Sequence, residues 1–439
     1  MASTASIPVQ ISGRVRLWGV LAFIRPLQLL VGAPVPLFLI ALTAMLFRPP
    51  DLHFYGIDRI AVTMLVFSVF LRTLITRQSL RFDRTVTLPL SLLIVIALTD
   101  LLYAPSQVQD WSVFAAKWAV PFLLYQLAQH VFVDRNSIAK LEIYLLVVLA
   151  YLSLIAVFFL IDARSLIVPA YILDGSIGIH ADRARGPFLQ AVANGVTLLL
   201  LGLIAADSYR RRRLPGLVAL IFAVLVPLAV LATKTRSVWI SFAGAVLFLT
   251  FFASSMRIRR ACGGLAFAGA LAVLGILLFI GQDSTLGERV RERSPVEFRL
   301  SLYRAGWDMF KEKPLFGWVG SDIQNELSKT VNDFHQDEFF FHNSYLEVAV
   351  KYGSVGPALY LWVLWDLVKA GGKPLRSASR EVHFLDERFR FLWPVFVGVY
   401  LFNACFVVMN YQFVNGLLFT LAGILVTQNR QWNASSAIV

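Results

Sequence analysis

Apolar runs of about 20 residues recur along most of this chain, and they limit its fold more than any other feature. A helix of that length crosses roughly 30 Å of hydrocarbon and satisfies its backbone hydrogen bonds internally. The composition agrees, because 58% of the residues are hydrophobic and only 15% are charged. We therefore expect an all-α, polytopic integral membrane protein.

The apolar runs predict twelve transmembrane helices. Their expected limits are residues 29–47, 58–76, 87–103, 113–133, 141–161, 189–207, 215–232, 237–255, 263–281, 344–368, 390–408 and 412–428. Helices 1–9 then lie in residues 1–281, which include an outer loop at 162–190. A long outer loop region follows at 282–343. Helices 10–12 occupy residues 344–428, and a cytoplasmic tail follows at 429–439.

The long loop region at 282–343 is too polar to span a membrane, and we expect it to be partly helical. Leu302, Ala305, Trp307 and Phe310 are spaced as on one face of a surface helix. Lys313-Pro314 then ends that helix, because proline cannot continue it.

The basic residues concentrate in alternate loops, and the formal net charge is +13. These loops contain Arg77, Arg81, Arg84, Arg135, Lys140, Arg210 to Arg213, Arg257, Arg259, Arg260 and the segment 369–390. Cytoplasmic loops of membrane proteins are rich in Lys and Arg. We therefore expect both termini in the cytoplasm, the other loops on the outer side, which is the periplasm in a bacterium, and no nucleic-acid partner.

Three groups of basic residues lie on the predicted outer side, where the same rule expects few. They are Arg183 with Arg185, Lys234 with Arg236, and Arg289, Arg291, Arg293, Arg299 and Arg304. One interpretation is an anion site, because the planar guanidinium group suits phosphate oxygens. The alternatives are contact of Arg236 with lipid phosphates, a salt bridge from Arg183 or Arg185 to Asp182, and a solvated charged face.

His342 stands between an aromatic run, Phe339 to Phe341, and the start of an apolar segment. Its imidazole is either a general base, since histidine titrates near neutrality, or an ordinary interfacial side chain. A metal site built from His335, Asp337 and His342 would match no HExxH spacing. The role of His180, which lies beside the outer arginines, is left open. Neither a P-loop nor a GxGxxG pattern indicates ATP or a dinucleotide.

Outer-face arginines with one histidine suit sugar transfer from a lipid pyrophosphate carrier. Arginines can stabilise the charge that develops on the leaving pyrophosphate, which replaces a metal ion. The histidine can take the proton of the attacking hydroxyl group. Attack opposite the leaving group would invert the anomeric carbon, and the activated donor makes ATP unnecessary.

Four segments resemble the O-antigen ligase and polymerase superfamily of bacterial envelope glycosyltransferases. They are Arg185-Gly-Pro-Phe188 with Asn194, Thr235-Arg236-Ser-Val-Trp-Ile240, Arg299-Leu-Ser-Leu-Tyr-Arg-Ala-Gly-Trp307 with Lys313-Pro-Leu-Phe-Gly317, and His342-Asn-Ser-Tyr-Leu-Glu347 with Tyr352-Gly-Ser-Val-Gly356. The last is the most specific of the four. The sequence departs from the family pattern at one place, where Gly317-Trp-Val-Gly320 has one residue more than the usual Gly-x-Gly.

The resemblance implies a GT-C-like arrangement of about 12 transmembrane helices and a set of site residues. It implies that His342 is catalytic and that Arg236, Arg299 and Arg185 contact the donor pyrophosphate. Supporting candidates are Arg183, Lys234, Arg304, His335, Asn343 and Tyr345. It implies no metal and no other cofactor.

Within this superfamily the short C-terminal tail and the late outer loop look most like a ligase. A ligase moves polysaccharide from undecaprenyl pyrophosphate to the lipid A–core in lipopolysaccharide biosynthesis, so these two lipids are the expected partners. The alternatives are an O-antigen polymerase, a protein O-oligosaccharyltransferase with the same donor, and a transporter of lipid-linked sugars. A transporter would more often show two similar halves with broken helices.

Overall fold

The computed structural model describes residues 32–48, 56–77, 82–103, 108–178, 180–253, 255–279, 294–330, 340–372 and 384–436. These residues form helices joined by loops, and no strand lies within the described ranges. The expected all-α class is therefore confirmed for this part of the chain.

The helices are numbered here in chain order. They are α1 (Pro34–Leu46), α2 (Ile57–Thr76), α3 (Arg84–Tyr103), α4 (Val108–Phe114), α5 (Val120–Val131), α6 (Arg135–Leu160), α7 (Ala191–Arg210), α8 (Gly216–Ala232), α9 (Arg236–Phe252), α10 (Met256–Phe279), α11 (Ser294–Glu312), α12 (Gly320–Thr330), α13 (Ser344–Tyr352), α14 (Val355–Ala370), α15 (Glu387–Ala404) and α16 (Gln412–Ser436). A π-helical turn, Ala115–Ala119, joins α4 to α5, and three short 3-10 helices, Arg164–Leu166, Ala170–Leu173 and Gly186–Phe188, lie between α6 and α7.

Four of the described helices, α2, α3, α6 and α7, are long and apolar enough to cross a membrane. Helices α1, α8 and α9 are also apolar but shorter. The chain is thus a helical membrane protein by length and composition, but these helices do not establish the expected count of twelve spans.

The expected single span at 344–368 is two helices, α13 and α14. Gly353 separates them with a backbone φ of 58°, in the left-handed region that side chains rarely adopt. A Cβ atom on Gly353 would lie 2.2 Å from the carbonyl oxygen of Leu315, so the loop after α11 fits against this break. The expected span ran through this interruption because largely apolar segments, residues 348–350 and 355–368, lie before and after it.

Helix α7 is the centre of the bundle. Within its most apolar window 83% of the residues are buried, against 28% for α2, so α7 is enclosed by protein and not by lipid. Gly195 lets α7 approach α9 closely, because an added Cβ atom would lie 2.6 Å from a methyl carbon of Val238. This contact fixes the start of α9, where Arg236 lies.

The bundle has two ends, which we name by their arginines. At the Arg236 end, α7 and α9 begin and α8 ends; at the Arg211 end, α7 and α9 end and α8 begins. At the Arg211 end, Arg210 contacts Asp207 at 2.7 Å and Asp386 at 2.5 Å, and Arg211 pairs with Asp207 and Glu142. These buried ion pairs join α6, α7 and the start of α15.

Candidate active site

The first two groups of outer basic residues meet at the Arg236 end. The backbone N–H of Ala184 donates to the carbonyl oxygen of Ala232 at 3.0 Å, which ties the loop before α7 to the last turn of α8. The ammonium group of Lys234 lies 3.9 Å from the Asp182 carboxylate. Asp182, which the sequence analysis considered as a partner of Arg183 or Arg185, thus lies near Lys234.

A tight link between α8 and α9 places Arg236 at the start of its helix. Lys234 adopts a left-handed φ of 47°, and the Thr235 hydroxyl donates to the carbonyl oxygen of Thr233 at 2.9 Å. The chain therefore reverses within three residues, Thr233 to Thr235. The backbone N–H groups at a helix N-terminus carry partial positive charge, which adds to that of Arg236.

Arg185 is fully buried, and its guanidinium group organises its own loop. Nε donates to the carbonyl oxygen of Ile172 at 2.9 Å, Nη1 donates to that of Ile177 at 2.6 Å, and Nη2 donates to that of Asp174. These hydrogen bonds hold the loop around Arg185 together, a structural role that the sequence motif did not indicate. Its contact with a donor pyrophosphate stays a prediction.

The same loop is held against α7 by Asn194. The Asn194 amide donates to the carbonyl oxygen of Ala184 at 2.9 Å. Gly186 has a φ of 57°, and a Cβ atom there would lie 2.8 Å from the Asn194 side-chain oxygen. The glycine and asparagine of the first resembling segment therefore form one packed unit that presents Arg183.

His342 and Asn343 form the entry to α13. Asn343 caps the helix, because its side-chain oxygen accepts hydrogen bonds from the backbone N–H groups of Tyr345 at 2.9 Å and Leu346 at 3.1 Å. His342 precedes the cap with a left-handed φ of 50°. The turn fixes the direction in which the imidazole leaves the backbone.

Two further side chains fasten α13 to the end of α15. The Ser344 hydroxyl donates to the carbonyl oxygen of Val407 at 2.9 Å and accepts from the backbone N–H of Met409 at 2.8 Å. The Tyr345 hydroxyl donates to the carbonyl oxygen of Leu401 at 3.1 Å. Ser344 is fully buried, so it has the geometry of a structural anchor.

Helix α11 lies beside His342 and supplies Arg299. The Tyr303 hydroxyl shares its proton between the carbonyl oxygens of His342 at 3.2 Å and Cys405 at 3.1 Å. Arg299 stands one helical turn before Tyr303 and therefore on the same face of α11. The expected helix before Lys313-Pro314 is confirmed, with its end at Glu312. Of the apolar residues predicted to share one face of this helix, Leu302 and Ala305 are buried, whereas Trp307 is 56% exposed.

The imidazole of His342 is neutral at neutral pH. Burial is the main cause, and the positive charges of Arg299 and His180 add to it, so that the pKa of His342 falls to about 4. Both residues therefore act electrostatically on His342. Of the third group of outer arginines, Arg299 thus acts on the same histidine as the loop before α7. His180, which the sequence left undecided, is therefore a further candidate residue of this site.

The remaining predicted site residues are less closely tied to His342. Arg304 is exposed on α11, next to Tyr303 but about 100° around the helix. Arg183 lies in the loop that carries His180. His335, Arg289, Arg291 and Arg293 lie outside the described residues, as does Asp337.

Sequence reasoning missed a buried ion-pair cluster behind α13. The Glu347 carboxylate lies 2.7 Å from the Lys117 ammonium group and 3.2 Å from that of Lys351. Lys117 stands on the π-helical turn, and π-helical turns are frequent at functional sites. A lysine inside an apolar run was the available signal. The cluster fixes α13, and hence His342, against the start of α5.

No group of three or more metal-ligating side chains occurs among the residues that the structure describes. The described cations suit an anion, with Arg299 on α11 one helical turn from Tyr303 and with Lys234 and Arg236 on the link between α8 and α9.

Residues 221–361 match the family model described as O-antigen ligase. The match runs from α8 into α14 and includes Lys234, Arg236, Arg299 and His342. It leaves out the loop with His180 and Arg185. Comparison with curated proteins finds no match.

Proposed function

We propose that this chain, of which residues 221–361 match the family model described as O-antigen ligase, is an O-antigen ligase. The reaction is inverting transfer of polysaccharide from undecaprenyl pyrophosphate to the lipid A–core. The observation that carries the proposal is a half-buried His342 with a lowered pKa, whose backbone is joined by Tyr303 to α11, one helical turn from Arg299. This pairing supplies a base beside a cation that can bind the leaving group.

In the proposed step the acceptor hydroxyl oxygen attacks the anomeric carbon of the donor. His342 removes the hydroxyl proton, and the bond between the anomeric carbon and the pyrophosphate oxygen breaks. Arg299 and Arg236 stabilise the negative charge that collects on the pyrophosphate. The proton on His342 then passes to the pyrophosphate or to water, which restores the base.

The donor itself changes the basicity of His342. Before binding, Arg299 and His180 disfavour a protonated imidazole, so the base is in its proton-accepting form. A bound pyrophosphate places negative charge in the same region and raises the pKa of His342, because an opposite charge favours the protonated form. The base therefore becomes stronger when both substrates are in place.

The orientation belongs to the same proposal. We place the Arg236 end at the periplasmic face of a bacterial inner membrane, with both termini in the cytoplasm and twelve spans. The basic loops at the opposite end support this orientation. The donor then presents its pyrophosphate at the outer leaflet, and neither ATP nor a metal ion takes part.

The test is product formation by the purified protein. Lipid-linked polysaccharide and lipid A–core are incubated with it in the absence of ATP and in the presence of a chelator. A covalent glycan–lipid A product is the expected result. Longer carrier-linked chains alone would indicate a polymerase, a glycosylated protein acceptor would indicate a protein O-oligosaccharyltransferase, and no new bond would favour a transporter. Each of these three outcomes would contradict the ligase proposal.

Two replacements of His342 sharpen that test. His342→Ala removes the base, and His342→Asn does so while keeping a residue that tolerates left-handed backbone. Both should lose transfer while donor binding persists. His130→Ala is the matched control, because His130 ends α5 and is not among the residues that influence His342.

A further inference from the structure

A second site lies away from His342. Helices α7, α8, α9 and α10 enclose a cavity of about 390 Å³. Small side chains leave this space, among them Gly202, Ala206, Ala219, Ala223 and Ala245. The rest of the lining is apolar apart from the Tyr209 phenol and the Cys262 thiol. Such a cavity suits a hydrocarbon chain and not a sugar or a pyrophosphate.

The cavity is near the Arg211 end of the bundle. Its lining comes from the second half of α7, the first two thirds of α8, the second half of α9 and the first turns of α10. These portions meet because the four helices are consecutive and run in alternating directions. Arg236 lies at the other end of α9, so the cavity is separate from the candidate active site.

Exposed arginines surround this end of the cavity. Arg212 and Arg213 precede Leu214, which lines the cavity, and Arg257 stands one turn before Ala261, another lining residue. Arg260 is also exposed on the first turns of α10. An apolar cavity beside exposed guanidinium groups is complementary to a molecule with a hydrocarbon chain and an anionic head.

We propose that this cavity binds one acyl chain of an anionic glycerophospholipid, with the lipid phosphate at Arg257 and Arg260. The lipid comes from the leaflet at the Arg211 end. The chain fills space that would otherwise lack contact atoms, and it packs α9 against α7 and α8. The headgroup is held by charge, because guanidinium groups pair well with phosphate oxygens.

The test measures the thermal stability of the full-length protein in detergent as lipid is added. The probes are palmitoyl-oleoyl phosphatidylglycerol and the zwitterionic phosphatidylcholine with the same chains. Phosphatidylglycerol should raise the Tm at concentrations about tenfold lower than phosphatidylcholine, since a ligand that binds the native state stabilises it by mass action. Equal responses to the two lipids would overturn the proposal.

Cavity-filling variants test the place of binding. Ala206→Phe should remove the Tm response to phosphatidylglycerol, whereas Ala270→Phe, on the exposed face of α10, should keep it. If Ala206→Phe does not fold, Ala223→Phe, which is more exposed at the cavity opening, takes its place. A full response in the folded cavity variant would contradict the proposal.

Replacement of arginines tests where the lipid headgroup binds. Arg257→Gln with Arg260→Gln should bring the phosphatidylglycerol response down to that of phosphatidylcholine, and Arg72→Gln on α2 with Arg77→Gln directly after it should not. Undecaprenyl phosphate is the final probe. If it stabilises the protein better than phosphatidylglycerol and loses that effect in Ala206→Phe, the cavity belongs to a polyprenyl chain and the proposal is wrong. Transfer activity is not read in this test, so its result is independent of the proposed function.

Discussion

The Tyr303 hydroxyl lies 3.2 Å from the backbone carbonyl oxygen of His342, which joins the amphipathic helix α11 to the turn that carries the imidazole. The same hydroxyl lies 3.1 Å from the carbonyl oxygen of Cys405 at the end of α15. One side chain therefore connects three segments that are far apart in the sequence. Arg299 is one turn away on α11, so this connection also sets the position of the cation relative to the base.

Removal of the Tyr303 hydroxyl should loosen this junction without removing a charge. We expect Tyr303→Phe to lower the free energy of unfolding by about 1 kcal/mol, the usual value of one hydrogen bond. Transfer should slow several-fold through kcat, because the base is less well positioned. Thermal denaturation and steady-state kinetics check both effects. Tyr103→Phe is the control, since Tyr103 is 88% exposed; equal behaviour of the two variants would contradict the positioning role.

The pH dependence of kcat/KM should reflect the lowered pKa of His342. Below its pKa the imidazole is protonated and cannot act as a base, so activity falls on the acid side. With a pKa of about 4, this fall should occur well below the ordinary histidine value of roughly 6.5. Arg299→Gln removes one nearby positive charge and should move the acid limb upward. An acid limb that stays in place in Arg299→Gln would contradict the electrostatic coupling.

The Lys117–Glu347–Lys351 cluster should contribute strongly to stability. Glu347→Gln leaves two ammonium groups without their carboxylate, and the loss of one partner of a buried pair costs about 3–5 kcal/mol. Thermal denaturation in detergent measures the change. Glu326→Gln is the control, because the Glu326–Lys329 pair is largely exposed and should contribute about 1 kcal/mol or less. Similar losses of Tm in the two variants would refute the assignment.

Gly353 should not tolerate a side chain. Its φ is positive, and an added Cβ atom would lie 2.2 Å from the Leu315 carbonyl oxygen. We expect Gly353→Ala to separate the loop after α11 from the α13–α14 break, with a clear loss of Tm and of transfer. Gly244→Ala, at a helical position with no atom within 4 Å of the added carbon, should leave both unchanged or raise the Tm. A stable, active Gly353→Ala variant would disprove this packing.

Local patterns predicted much of the fold. Apolar runs predicted the helices, and Lys313-Pro314 marked the end of α11 because proline has a local effect on the backbone. The break at Gly353 was not predictable, since a glycine between two largely apolar segments is also compatible with a continuous helix. Its cause is the distant Leu315 backbone.

The sequence also predicted part of the candidate site. The family resemblance is confirmed over residues 221–361, and the sequence named His342 and Arg299. It could not show that Arg185 serves the carbonyl groups of its own loop, because those contacts depend on how residues 172–177 fold around it. It could not pair Lys117 with Glu347 either, since 230 positions separate them.

The most direct test of the account is the transfer rate of His342→Asn with saturating lipid-linked polysaccharide and lipid A–core. Donor binding is measured in parallel, so that loss of chemistry is distinguished from loss of affinity. We predict a fall in kcat of at least about a hundredfold, as expected when a general base is removed, with donor affinity little changed. Transfer at the wild-type rate by a variant that binds donor normally would contradict the assignment of His342 as the base.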